Sequence, residues 1–250
     1  WTDRVFLSTD ASLDSGDTQL GEILHSAILR TGDQYSTTLN VRLPDGIGGD
    51  FHVLVFTDAT VRGTIGVPGI NGGTSMGSVP EFQGEGNNLT AAPLPVILTP
   101  PPDLEVTALV ALGPDPARSG HVLSGESFTV TYTVTNNGSG DTPDRQAVWD
   151  DRIYLSRDPF LSDADVYFAD DRHSGGLAAG ASYSNTVTLK APRNMSGPWY
   201  VFVLSDAPSS NSPRGLVFEG DKEGNNARAT ATPLLIEPPP PSDLVVDSIS

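Results

Sequence analysis

From Ser127 to Asn136 the sequence SFTVTYTVTN places Phe128, Val130, Tyr132 and Val134 at every second position, with threonines between them. A period of two sends alternate side chains to opposite faces of an extended chain, so this segment predicts a half-buried strand. AVWDDRIYLS (147–156), SYSNTVTLKA (182–191), WYVFVLSDA (199–207) and ARATATPLLI (227–236) read as further strands. They are separated by NNGSG, APRNMSG and EGDKEGNN, whose Gly and Asn residues supply turn conformations. The 199–204 stretch is apolar on both faces and is predicted to lie inside its sheet. No segment sustains a helical period. About seven strands with frequent turns predict an all-β fold, an antiparallel sandwich of two sheets.

The pattern occurs twice. WTDRVFLSTD (1–10) returns as WDDRIYLSRD (149–158), and one offset of 148 holds without a gap from Trp1/Trp149 to Ala59/Ala207, with 21 of 59 positions identical. Beyond a loop ten residues longer in the first copy the offset becomes 138, pairing EGNN at 85–88 with EGNN at 223–226. Each copy is followed by prolines, and PPPDLEV (100–106) pairs with PPSDLVV (240–246). The expected organisation is a tandem array: a first repeat over 1–99 without its opening strands, a Pro linker at 100–102, and a complete repeat over 103–237. A second Pro linker at 238–242 and the first strand of a third repeat at 243–250 follow. A piece spanning 103–242 is expected to fold alone and a piece spanning 1–102 is not, because a sandwich without two strands leaves apolar faces and ladder groups unpaired. The proline runs favour polyproline II and are expected to act as stiff spacers.

Composition narrows the partners. A formal charge of -17 and a pI near 4.3 repel phosphate backbones and anionic membranes, so nucleic acid is not an expected partner. Without cysteine there is no disulfide framework, thiolate zinc site or cysteine nucleophile. No apolar run reaches the roughly 18 residues of a membrane span.

The run DRVFLSTDASLDSGDTQLGE, followed by LRTGDQYSTTLNVRLPDGIGGDFHVLVFTDA and by EGEGNN-like acidic turns, resembles the CARDB family of bacterial and archaeal adhesion-related domains. That family's pattern is a YLSxDxxxDxxD strand and turn, an LxxGxS strand, an xYxLxxxxD strand and an ExxExNN turn before the last strand. The resemblance covers both copies and implies immunoglobulin-like sandwiches repeated in large secreted or surface proteins. Two departures stand out: SRDPFLSDAD in the second copy moves the middle carboxylate by one place, and the first copy carries a Gly-rich insertion at 60–78.

Two clusters are candidate metal sites. Asp10, Asp17 and Glu22 coincide with Asp158, Asp165 and Asp170 in the turn after the DRVFLS/DRIYLS strand, with Asp14 and Asp163 nearby but out of register. Crowded carboxylates repel unless a hard cation neutralises them, and calcium accepts six to eight oxygens in flexible geometry; a solvated turn closed by Asx hydrogen bonds is the competing reading. The second cluster is Glu81, Glu85 and Asn87, matched by Glu219, Asp221, Glu223 and Asn225. Asp3/Asp151 and Asp58/Asp206 are expected as turn or edge charges, and His25/His173 as a repeated surface turn rather than a zinc ligand or general base. GTSMG (73–77) lacks the strand-to-helix context of a nucleophile elbow, and no catalytic residue is expected. Asn88, Asn137 and Asn194 head glycosylation sequons.

The leading functional expectation is a non-enzymatic, calcium-stabilised repeat module of a bacterial or archaeal surface adhesin, stalk or filament. Its partners would be neighbouring repeats, other copies in a fibre, or a surface glycan or protein. The alternative is an accessory carbohydrate-binding or spacer module of a multidomain extracellular enzyme, for which an exposed aromatic platform would be the sign. Trp1 and Trp149, the repeated tryptophans, are expected in the core.

Overall fold

The computed structural model describes residues 1–59, 78–81, 86–241, 243 and 245. The chain forms two compact units, Trp1–Thr99 and Pro100–Ser250. GTSMG, Glu85 and most of the expected third-repeat strand fall outside the described residues.

The first unit holds four strands, β1 (Thr2–Ser8), β2 (Thr18–Leu24), β3 (Gly49–Phe56) and β4 (Leu89–Val96), in one antiparallel sheet of order β2-β1-β3-β4. β4 lies at its edge, where Pro93 and Pro95, both of one parity, can forgo a ladder donor.

The second unit is a two-sheet sandwich built from β5 (Leu104–Leu112), β6 (His121–Leu123), β7 (Ser127–Asn136), β8 (Val148–Ser156), β9 (Val166–Ser174), β10 (Ser182–Lys190), β11 (Gly197–Leu204), β12 (Ala227–Ala229) and β13 (Leu234–Glu237). One sheet has the order β10-β7-β5; the other runs β6-β13-β11-β8-β9, with β12 also pairing to β11. Phe128, Val130, Tyr132 and Val134 of β7 are all buried, as their alternation predicts, and meet Trp149, Ile153 and Leu155 of β8 and Val201 and Val203 of β11 in one core. β11 is interior to its sheet and buries Val201, Phe202 and Val203 in succession. The single strand expected over 227–236 is broken: at Thr230 the hydroxyl accepts the Val201 N–H, and Pro233 has no N–H to offer β11 before β13 resumes.

Register links the units. Ser8 pairs with His52 as Ser156 pairs with Tyr200, Arg4 with Glu22 as Arg152 with Asp170, and a β-bulge falls at Val5/Phe6 as at Ile153/Tyr154. The offset of 148 seen in the sequence is thus an offset in backbone pairing.

Two expectations change. The stretch corresponding to β10, residues 34–42, is not a strand in the first unit. In the second unit β10 pairs along its whole length with β7, which has no counterpart among the described residues of the first unit, and a lone strand without a ladder has nothing to hold it extended. The prolines at 100–102 are packed against the second unit rather than standing free as a spacer. Pro102 is buried, Gly140 donates its N–H to the Pro101 carbonyl, and a Cβ on Gly140 would come within 1.8 Å of the Pro100 carbonyl oxygen.

Candidate functional site

β8 carries an acid in the phase of its core residues. Trp149, Asp151, Ile153 and Leu155 alternate inward, and Asp151 is 0% exposed. Tyr183 donates a short hydrogen bond to its Oδ2, and Ser205 donates to Oδ1 at 2.8 Å. The Tyr132 hydroxyl lies 2.9 Å from Asp151 Oδ2 and 2.8 Å from Asp171 Oδ2. The His173 ring packs 4.3 Å from Trp149 and 3.9 Å from Tyr183, centroid to centroid, and the Trp149 N–H donates to the Tyr183 oxygen at 3.1 Å. Burial pushes the Asp151 carboxyl above the ordinary range, against the pull of its three hydroxyl partners and of His173. The same burial raises the Tyr132 and Tyr183 hydroxyls, with Asp151's charge adding to it.

The first unit repeats this cluster at the same offset. Tyr35 donates to Asp3 at 2.6 Å, Thr57 donates to Asp3, His25 Nε2 lies 2.9 Å from Asp3 Oδ2, and Trp1 stacks on His25 at 5.2 Å. Among the described residues no tyrosine takes the role of Tyr132. A cleft of about 620 Å³, lined by Trp1, Ile28, Leu29, Tyr35 and Asp58, opens beside the cluster. Asp3/Asp151 and His25/His173 are therefore not edge charges and surface turns but the centre of a polar-aromatic core. Trp149 lies in the core as expected, whereas Trp1 is half-buried.

Asp58 and Asp206 also prove buried, and each clamps a loop. Asp206 accepts the N–H groups of Leu216 and Val217, both at 2.8 Å; Asp58 accepts those of Ser78 and Val79, also at 2.8 Å. Both aspartates adopt positive φ, 48° and 51° respectively, which aims the carboxylate across the loop. The clamp spans loops of different length, so the Gly-rich insertion leaves it intact. Desolvation pushes Asp206 up to about 6 despite these two amides. Gly215 has φ +101°, and a Cβ there would sit 2.2 Å from Asp206 Oδ2. Gly215→Ala is expected to cost about 2–4 kcal/mol in thermal melting of the second unit, from backbone strain and overlap together.

The turn after β1 and β8 holds its carboxylates in backbone hydrogen bonds. Asp10 Oδ1 accepts from Ser12 and Asp158 Oδ1 from Phe160; Asp17 Oδ2 accepts from Asp14 and Asp165 Oδ2 from Ser162. Asp14 Oδ1 accepts the Gly16 N–H, and in the second copy the Ser162 hydroxyl does this for Ala164. Ser162 is thus the structural equivalent of Asp14, while Asp163 is exposed outside the motif. Glu22 and Asp170 stand on the neighbouring strands, paired to Arg4 at 3.3 Å and Arg152 at 3.0 Å.

The turn before β12 differs in kind. Glu219 is 0% exposed; its Oε1 accepts the Leu104 N–H at 3.0 Å, and its own N–H donates to Glu223 Oε1 at 3.0 Å. Asn225 Nδ2 donates to Asp103 at 2.8 Å. Glu219 Oε2, Glu223 Oε2 and Asn226 Oδ1 are buried without a hydrogen-bond partner. Burial, opposed by the Leu104 amide and Asn226, pushes Glu219 up to about 8, with Asp206 and Glu223 adding repulsion. Asp221 is exposed, and Glu81, the first-unit counterpart of Glu219, is half-buried. Among the described residues no three His, Asp or Glu side chains converge as a metal-holding group. Of the sequons, Asn88 is buried while Asn137 and Asn194 are exposed.

No curated protein matches the chain. Similar solved structures include the CARDB domain of the PF1109 protein from Pyrococcus furiosus, described in complex with di-metal ions, at 15% identity over 55% of this chain and 96% of that one, with a TM-score of 0.37. The sporulation control protein Spo0M of Bacillus subtilis is 13% identical over 54% of this chain and 49% of its own, with a TM-score of 0.35. A β-glucosidase of Listeria innocua, in complex with isofagomine, is 14% identical over 57% of this chain and 17% of its own, with a TM-score of 0.31. The CARDB family model matches residues 101–229, more than half of the 250 residues, and that stretch contains β5 to β12, the Asp151 network and the turn at 219–226: the chain belongs to the CARDB family.

Proposed function

We propose that this chain is a stretch of tandem adhesion-related modules from a secreted or cell-surface bacterial or archaeal protein, with a structural rather than catalytic role and with calcium as a stabilising ion. The observation that carries the reading is the recurrence of one register, one bulge and one Trp-Asp-His-Tyr cluster around a buried aspartate in two successive units, the second of which is a CARDB domain. A polar cluster repeated in each unit and consumed by internal hydrogen bonds suits a repeated structural task. Its acids and hydroxyls face one another. The core position of Trp149 also favours the array over a sugar-binding module, which needs its aromatic face in solvent.

Antibodies raised against the 250-residue chain are expected to label intact cells of the source organism, and brief protease treatment of those cells should remove the label. Labelling only after permeabilisation would overturn the surface assignment. Binding of the chain to a defined oligosaccharide on a glycan array would favour the carbohydrate-binding module instead.

A further inference from the structure

The closing turn EGDKEGNN (219–226) leaves three buried oxygens without donors: Glu219 Oε2, Glu223 Oε2 and Asn226 Oδ1. Glu219 is fully buried and Asn226 is 3% exposed, so neither recovers its missing hydrogen bond from bulk water. The rest of the turn is tied down. Lys222 and Asn225 donate their backbone N–H groups to Glu219 and Lys222 carbonyls at 3.3 and 3.2 Å, Glu223 Oε1 takes the Glu219 N–H, and Glu219 Oε1 takes the Leu104 N–H. Glu219 and Glu223 thus each have one carboxylate oxygen fixed and the other unpaired. Asp206 adds a further negative charge to the same neighbourhood, and among the described residues neither Glu219 nor Glu223 forms an ion pair.

A single proton on this cluster would give one O–H donor to one acceptor, satisfying two of the three oxygens and leaving the third orphaned. A divalent hard cation satisfies all three at once, and the two carboxylates balance its charge. Calcium accepts six to eight oxygens with loose angular demands, so carbonyls and water can complete a shell that begins with two carboxylates and an amide. Magnesium, which needs near-octahedral geometry and gives up its water reluctantly, fits less well. The Asp10–Asp17 and Asp158–Asp165 turns present no such deficit, because their carboxylates already accept turn amides.

We propose that Glu219, Glu223 and Asn226 form a calcium site in the second unit, and that the ion fixes the carboxylate that holds the Leu104 N–H. This deepens the calcium part of the proposed function by placing the ion in the closing turn rather than in the Asp158–Asp165–Asp170 cluster. Occupancy would secure the start of β5, the strand that follows the docked prolines, through the Glu219 carboxylate.

The test uses the full 250-residue chain, stripped with a chelator and titrated calorimetrically with calcium chloride, with magnesium chloride as comparison. Calcium is expected to bind and to raise the melting temperature by several degrees. Glu219→Gln, which keeps the acceptor for Leu104, and Glu223→Gln are each expected to weaken calcium at least tenfold, whereas Asp165→Asn leaves the affinity within twofold. Hydrogen exchange on the unmodified chain needs no variant to fold: calcium should slow exchange at 219–226 and at the Leu104 amide. Binding that survives both glutamine variants, or calcium protection confined to 158–170, would overturn this site and leave calcium as the array's ion. No calcium heat and no melting shift up to 10 mM would overturn both.

Discussion

Asp151→Ala is expected to lower the stability of the second unit by about 3–5 kcal/mol, which for a unit of this size is a fall in melting temperature of about 10 °C or more. The cost comes from what the carboxylate leaves behind rather than from its own contacts. Tyr132, Tyr183 and Ser205 each direct a hydroxyl at Asp151 from a different strand or strand end, and Tyr132 and Ser205, both 0% exposed, have no bulk water to turn to. Tyr132 belongs to the β10-β7-β5 sheet and Asp151 to the facing sheet, so this carboxylate is a polar bolt through the sandwich as well as a filler of its core.

Asp151→Asn should cost less than half as much, for a reason that lies in the proton count. The Tyr132 oxygen is within hydrogen-bond distance of both Asp151 and Asp171, yet a hydroxyl carries one proton. The second of those contacts is a hydrogen bond only when a carboxyl carries a proton, and desolvation favours the protonated form at Asp151. An amide keeps the shape and one oxygen acceptor and supplies an N–H donor, so it serves most of the partners that an alanine abandons. The sign of the pH dependence follows. Because the folded carboxyl titrates above the unfolded one, the native state binds more protons in the window between them, and stability falls as pH rises from the ordinary aspartate range upward. Asp171 and His173 face the same cluster. Melting temperatures of the parent and of Asp151→Asn, measured between pH 4 and 8, should show a flatter profile in the variant. A variant as damaged as Asp151→Ala, with the parent's slope retained, would mean that Asp151 is buried as an anion.

Much of this architecture is written in the period of the sequence. Phe128 to Val134, the interior position of β11 and the one offset joining Trp1 to Trp149 follow from alternation and self-similarity, because side-chain parity in a strand is fixed by geometry. The Asp151 cluster was legible too, in a signal easily discounted: Asp3 and Asp151 fall on the same parity as the tryptophan and leucine around them, so the pattern itself put an acid in the core. Burial of a carboxylate goes against the default for an isolated charge, and the hydroxyls that make it tolerable come from Tyr132, Tyr183 and Ser205, which no local window joins. Asp206 and Asp58 were hidden for a similar reason, since a clamp on amides ten or twenty residues away depends on loop closure and not on spacing. The Asp163 shift looked like a displaced ligand, but the turn needs only a side-chain acceptor, and Ser162 supplies it.

Separated from each other, the two units should behave as different kinds of polymer. A piece of residues 100–241 is expected to melt cooperatively, close to a transition of the full chain; a piece of residues 1–99 is expected to show no sharp transition and to bind a hydrophobic dye. The second unit closes two sheets over eighteen buried core residues, whereas the described core of the first gathers only Phe6, Leu13 and Leu54 with Phe56, Leu89 and Ala91 packed beside them. Each fully buried large apolar side chain contributes about 1.5–3 kcal/mol, while ordering each residue's backbone costs about 1–2 kcal/mol, so a single sheet with one face open cannot offset the entropy of its own length. The face is open in a specific place. Ile28 is 91% exposed, Leu24 and Leu29 are exposed beside it, and residues 34–42 lie unpaired where β10 lies in the second unit. The starting boundary at 100 rather than 103 matters, because Pro100–Pro102 pack on Gly138 and Gly140 and Leu104 is held by Glu219. Adding to the 1–99 piece a synthetic peptide with the sequence of β7, SFTVTYTVTN, should restore part of the missing order, since its tyrosine would present a hydroxyl to Asp3 as Tyr132 does to Asp151. A sharp calorimetric transition in the 1–99 piece alone would show that four strands and three buried anchors suffice, and that the open face is closed by residues of the first unit itself.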